Sequence, residues 1–216
     1  MPLSIYAIDN FVAQDLSKLT ECRPPSIAPE FPDYTSWVGS FVLNWIHRIQ
    51  LPKNKAALAF VLIRRAESAL GDYEEARAYL ASFVGGDHRN ISLYFRCLGR
   101  FESTVAMVYQ SLDFVRRTLG RKKVFTKGQG SPYERVNCIY NASKHSDPET
   151  LPAGRLHAVW IKNDGLYADR VHLTFEELGD LVRQIGRIAE KFAKGEVPVL
   201  PSDAPDLPRD MPSARP

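Results

Sequence analysis

The chain has 216 residues, 44% of them apolar and 25% charged, values of an ordinary globular domain that exclude wholesale disorder and a collagen-like repeat. Its 28 basic residues against 25 acidic ones leave a net charge of only +3, so a case for nucleic-acid binding must come from local clusters. No stretch approaches the ~20 uninterrupted apolar residues of a membrane span.

The start, Met1-Pro2-Leu3-Ser4, lacks the profile of a secretory signal. Three cysteines, Cys22, Cys97 and Cys138, show no C-x-x-C spacing, which points to a reducing compartment and a cytoplasmic protein. Residues 23–32 carry four prolines in ten positions and cannot hold a helix. The residues before 23 have weak periodicity and read as a short helix or strand, and 1–33 as an N-terminal segment, proline-rich at its end, ahead of the helical domain. Asp33 precedes a helix that Pro52 ends. Trp37, Phe41, Trp45 and Ile49 recur at every fourth position in it, with Val38, Val42 and Ile46 beside them, and core packing is the expected role of its tryptophans.

Two long segments come next, each with a seven-residue repeat. In the first, Ala59, Ala66, Tyr73 and Leu80 alternate with Leu62, Ala69, Ala76 and Phe83; in the second, Ile91, Leu98, Val105, Leu112 and Leu119 alternate with Tyr94, Phe101, Val108 and Val115. A period near 3.5 residues gives each helix one long apolar stripe, and the pair reads as an antiparallel hairpin. Gly85-Gly86 can supply the positive φ that ends the first helix. Ala69-Leu70-Gly71-Asp72-Tyr73 resembles the turn of a tetratricopeptide repeat. Nothing similar recurs 34 residues later and the heptad runs through Gly71, so a continuous helix is expected.

Ser131-Pro132-Tyr133-Glu134 is a helix start with a capping box and proline at the first helical position, opening a helix over 131–146. Leu156–Ile161 and Leu166–Leu173, joined across Asn163-Asp164-Gly165, predict a β-hairpin at 155–173. Thr174 and Glu177 form a second capping box before a last amphipathic helix, with Leu173 and Leu178 placed for a hydrophobic staple. The expected fold is mainly α: an antiparallel bundle of about five helices with one β-hairpin before the last, spanning 34–195. Residues 196–216, with their prolines, are expected to form a mobile tail.

The helix 131–146 puts Glu134, Asn137, Asn141, Lys144 and His145 on one stripe, while Val136, Ile139, Tyr140 and Tyr133 face the other way. Asparagine is a poor helix former, so two of them a turn apart call for a reason. Either the stripe is a plain solvent face with a basic end favoured by the dipole, or it lines a cleft in which Asn137 and Asn141 orient His145. The run Arg135-Val136-Asn137-Cys138-Ile139-Tyr140-Asn141-Ala142-Ser143-Lys144-His145 resembles the signature helix of the HEPN superfamily. Those proteins are helical bundles, commonly homodimers, and include ribonucleases of toxin–antitoxin and antiviral systems.

That resemblance implies a bacterial defence or toxin–antitoxin protein that binds RNA or cleaves it as a metal-independent endoribonuclease. It further implies an antitoxin-like protein partner, and no cofactor. Asn141 and His145 match the family pattern, while Tyr140 stands where catalytic members carry arginine. Metal-independent cleavage needs a group to take the 2′-hydroxyl proton and a cation beside the phosphorane. His145 suits the first role; Lys144, or Arg135 from a second subunit, suits the second. The alternative is a non-catalytic dimerisation or protein-interaction module.

A second cluster, Arg116, Arg117, Arg121, Lys122, Lys123 and Lys127, leads into Gly128-Gln129-Gly130 and is the candidate footprint for RNA or phosphate. Those glycines precede a helix and could offer amides to an anion. A two-residue Asp164-Gly165 turn would place His157 opposite His172, a pair without a third ligand in register, so no metal is expected.

Overall fold

The computed structural model describes residues 9, 15–47, 51–86, 90–118, 124–144, 151 and 157–196. Helix α1 (Trp37–His47) is followed by α2 (Lys53–Gly85), α3 (Ile91–Thr118) and α4 (Pro132–Lys144). Strands β1 (Trp160–Lys162), β2 (Gly165–Ala168) and β3 (Val171–Thr174) then lead into α5 (Phe175–Ala193). The protein is mainly α, a helical bundle with a small antiparallel sheet before its last helix.

The heptad stripes build the centre. Every stripe position from Ala59 to Phe83 is buried, as are Tyr94, Leu98, Phe101, Val105, Val108 and Leu112. Phe83 packs on Tyr94 at 5.8 Å between ring centroids, Tyr73 on Phe101 at 5.9 Å, and Arg65 reaches Met107. As numbers fall along α2 their partners' numbers rise along α3, so the two helices are antiparallel. The alanines at 59, 66, 69 and 76 let the backbones approach. Helix α2 runs unbroken through Gly71, and no repeat turn forms there. Gly86 ends it with φ −83°, in extended backbone rather than the left-handed conformation its composition suggests.

Helix α1 departs from expectation. A 3₁₀ turn at Tyr34–Ser36 precedes it; of the described positions of its stripe only Trp37 and Phe41 are buried, and Ile49 lies outside the described residues. Trp45, with Val42, Leu43 and Ile46, is exposed. The reason is length: Asn44 Nδ2 donates to the carbonyl of Ala193 at 2.6 Å, where α5 ends, and the supporting helix goes no further.

Residues 15–33 lie against the bundle rather than apart from it. Leu16, Leu19, Ile27 and Phe31 are buried in the common core. Glu74 on α2 accepts the amides of Ile27 (2.7 Å) and Ala28 (2.9 Å), and Arg77 donates to the carbonyl of Pro24 (2.9 Å) while pairing with Glu74. Burial pushes the Glu74 carboxyl up, but the two amides and the guanidinium outweigh it and hold it below its ordinary value. Gly186 on α5 admits Phe31, whose Cζ stands 3.0 Å from where a Cβ would be.

The hairpin gains a strand. Trp160 pairs with Tyr167 and Lys162 with Gly165, so the first turn is Asn163-Asp164; Tyr167 pairs with His172, across a second turn at Asp169-Arg170. Asp169 takes φ 49° there, which an aspartate tolerates better than most residues. Gly165 is required where it stands, because a Cβ would lie 2.2 Å from the carbonyl oxygen of Leu173. The expected pairing of His157 with His172 is therefore wrong: His157 precedes β1 and His172 faces Tyr167. The chain makes two turns here where the glycine signal marks only one.

Candidate functional site

Helix α4 is held from both ends of its inner face. Val136 and Ile139 are fully buried, and Tyr133 Oη donates to Gln184 Oε1 of α5 at 2.9 Å. Its outer face carries Asn137, half-buried, and Asn141 and Lys144, both exposed. Asn141 Nδ2 donates to Asn137 Oδ1 at 3.3 Å, which leaves one amide group of each residue directed away from the other. Lys144 Nζ stands 5.9 Å over the ring of Tyr140, and Tyr140 stacks on Tyr109 of α3 with centroids 4.8 Å apart and planes 24° off parallel. Lys144 thus meets the ring pair by which α4 packs on α3, while the amide pair runs along the same helix with Asn141 exposed. His145 follows Lys144 directly and lies outside the described residues.

Several candidate cations are engaged elsewhere. Arg135 pairs with Glu177 at the start of α5 and donates to the carbonyl of Gly130, so it bridges α4 to α5 and the preceding loop. Arg116 and Arg117 both engage Asp113, each at 2.7 Å. Lys127 is exposed. Arg121, Lys122 and Lys123 lie outside the described residues.

The glycine loop does not present its amides to an external anion. Glu134 accepts the amides of Gly128 (2.5 Å) and Gly130 (2.7 Å), and these two bonds lower its carboxyl from the ordinary value. Gly128 and Gly130 adopt φ of 83° and 65°, the left-handed backbone that turns both amides inward. Ser131 Oγ accepts the amide of Glu134 at 3.3 Å, so the predicted cap forms in half: the glutamate reaches past residue 131 to the loop. The side chain occupies the very place a phosphate would need.

A second chemical pair has no counterpart among the sequence expectations. Glu102 of α3 faces His157, with Oε1 3.6 Å from Nε2. His157 Nδ1 accepts the amide of Val159 at 3.2 Å, which puts the ring proton on Nε2, toward the carboxyl. Burial pushes the Glu102 carboxyl up to about 7 and holds His157 below its ordinary value. Glu102 follows the seam residue Phe101, a place where heptads put solvated charge, and the histidine it faces comes more than fifty residues later.

On the outer face of the sheet, His172 stacks on Tyr167 at 4.1 Å and Lys162 Nζ lies 4.8 Å over the same ring. Asp164 takes Tyr167 Oη at 3.0 Å and stands 3.3 Å from His172 Nε2, while Asp15 pairs with Lys162 at 3.4 Å. Within the cluster His172 Nε2 is buried and makes no hydrogen bond, although the Asp164 carboxylate is near it. Among the described residues no group of three histidines, cysteines or carboxylates could hold a metal. Cys22 and Cys97 are buried, and burial pushes both thiols up, Cys22 to about 12, so neither suits nucleophilic work at neutral pH. Among the described residues no helix is long and apolar enough to cross a membrane. No protein-family model, curated protein or solved structure matches this chain.

Proposed function

We propose that this is a HEPN-like protein of the bacterial defence or toxin–antitoxin kind that binds RNA through the outer face of α4. The observation that carries the reading is the grouping of the Asn137–Asn141 amides with Lys144 and the Tyr109–Tyr140 stack. Unpaired RNA bases stack on aromatic rings and offer edges to amide groups, and a lysine beside them neutralises phosphate. Each part is modest alone; their occurrence together along α4, with Tyr109 of α3 against Tyr140, supports the reading. The family resemblance adds a homodimer, a protein partner of the antitoxin type and a cytoplasmic setting.

Binding stands ahead of cleavage because of Arg135. Its guanidinium is engaged by Glu177 and the Gly130 carbonyl, so the cation beside a phosphorane would have to be Lys144. In a cleaving form His145 takes the 2′-hydroxyl proton and returns one to the leaving 5′-oxygen, with Lys144 against the developing charge.

The experiment is RNA binding by the full chain, compared with Asn141→Ala, Lys144→Ala and His145→Ala, scored together with cleavage of an end-labelled strand. Asn141→Ala with Lys144→Ala should weaken binding about tenfold or more, and Lys144→Ala alone should reduce the salt dependence by about one counterion. Thermal unfolding should be unchanged, since both side chains are exposed. Cleavage lost in His145→Ala with binding retained establishes the nuclease. Undiminished affinity in the double variant, or no RNA affinity in the wild type, leaves the protein-interaction module as the function.

A further inference from the structure

Helix α1 is apolar on the side turned away from the core. Asn44 meets Ala193 at the end of α5, and Phe41 meets Phe60 of α2 with ring centroids 6.3 Å apart, so these two residues fix the inward side of α1. At about 100° per residue Trp45 lies just beyond Phe41, on the side away from Asn44, and Val42, Ile46 and Leu43 follow round the outer face. Trp45 keeps 42% of its surface exposed, Val42 37%, Ile46 63% and Leu43 62%. Among the described residues nothing covers them. Left this open, they amount to a patch on the order of 400 Å², a size that on a monomer marks an interaction site.

The ground beside the patch is basic. Arg48, Lys53, Lys55, Arg64 and Arg65 fall between Asp33 and Glu67 in the sequence, and no acidic residue does. Glu67 of α2 accepts the amide of Val38 at 2.8 Å, and Phe60 faces Phe41, so α1 and α2 run antiparallel and the Trp45 end of α1 lies beside the Lys53 end of α2. Lys53, Phe60 and Arg64, spaced seven and four apart, share the side of α2 turned to α1, and both cations are exposed. Glu67 is the carboxylate at hand. It is turned to the start of α1, and Arg64 is the weakest of the influences on its ionisation.

An apolar stripe with cations along one flank fits a helix of complementary make-up, apolar on one face and acidic beside it. A second copy of this chain is a poor occupant, since it would bring the same five bases to the contact. A bilayer is matched less well. Trp45 and Val42 are recessed between α2 and the more exposed Ile46 and Leu43, a contour that takes a row of side chains rather than a plane. We propose that the outer face of α1, with Lys53 and Arg64 of α2, docks an acidic amphipathic helix of a partner protein. The apolar ridge of that helix covers Val42, Trp45 and Ile46, and carboxylates beside the ridge meet Lys53 and Arg64. Docking here does not depend on RNA binding at α4.

The probe is a tryptophan-free synthetic helix of about 18 residues, leucine along one face and glutamate on the other, mixed with the full chain. The chain has three tryptophans, of which Trp37 and Trp160 are buried, so a blue shift of emission on mixing reports Trp45. The glutamate helix should bind, and a helix with the same leucines and lysine in place of glutamate should bind at least about tenfold more weakly. Leu43→Ser with Ile46→Ser, and separately Lys53→Gln with Arg64→Gln, should each weaken binding of the glutamate helix about tenfold. Thermal unfolding should change little, since all four side chains are exposed. Asn141→Ala with Lys144→Ala should bind the helix as the wild type does, which separates this site from the RNA face. No binding of the glutamate helix, equal binding of the lysine helix, or affinity unchanged in the two α1 and α2 double variants overturns the proposal. So does a Trp45 shift produced by phosphatidylglycerol vesicles, by uridine-rich RNA or by self-association in place of the glutamate helix, which would give the face to a membrane, to RNA or to a second copy.

Discussion

Glu102 is the residue whose chemistry burial changes most usefully. Its carboxyl keeps 20% of its side-chain surface exposed, and its ionisation is pushed up to about 7 from an ordinary 4.5. A carboxyl raised in the fold costs stability wherever the unfolded chain is ionised and the folded one is not. The cost is absent below pH 4.5, grows as pH rises to about 7 and is constant above. Glu102→Gln should therefore stabilise the protein by about 2 kcal/mol at pH 8 and by almost nothing near pH 4.5, measured by urea denaturation at the two pH values. His157 governs the opposite limb. Its lowered ionisation means that the unfolded imidazole takes a proton below pH 6.5 before the folded one does, so stability also falls on acidification. Neither behaviour is readable along the chain, because Glu102 and His157 are remote in sequence and meet only in the fold. The polar stripe of α4 is legible, since a helical period of 100° per residue is enough to group Asn137, Asn141 and Lys144. Its neighbour is not: Tyr109 joins it only through the packing of α3 on α4.

At the scale of elements, the parts specified by local chemistry match what the sequence implies. Thr174 Oγ1 accepts the amide of Glu177 and Glu177 returns to the amide of Thr174, both at 3.1 Å, so the box that opens α5 is complete. Thr174→Ala should cost about 1 kcal/mol in thermal or chemical unfolding, and Thr174→Ser much less. The heptads of α2 and α3 are equally plain, because each apolar position is repeated often enough to fix one face. The failures share a cause. The β-rich run after Asn163 reads as one strand because Asp169-Arg170 carries no glycine, yet the aspartate takes the positive φ a tight turn needs. Trp45 reads as core because its spacing is that of Trp37 and Phe41; periodicity gives a face, not the length of the helix beneath it. Glu134 reads as a cap residue and serves instead as the internal anion of the Gly128–Gly130 loop.

For the whole molecule, one core joins the N-terminal residues 15–33, the α2–α3 hairpin, the sheet and α5. Tyr94 ties the sheet to α3 by accepting the amide of Ile161 at 3.2 Å, deep in that core. The groups to which the proposed function assigns RNA binding are at the rim: Asn141 and Lys144 are exposed on α4, and Tyr140 and Tyr109 stack between α4 and α3. Ultraviolet cross-linking of the full chain to a uridine-rich single-stranded RNA, with adducts located by mass spectrometry, tests the assignment of the first face most directly. Adducts should fall on Tyr140, Tyr109 or Lys144, and Asn141→Ala should reduce them. Adducts confined to other elements while RNA remains bound would contradict it.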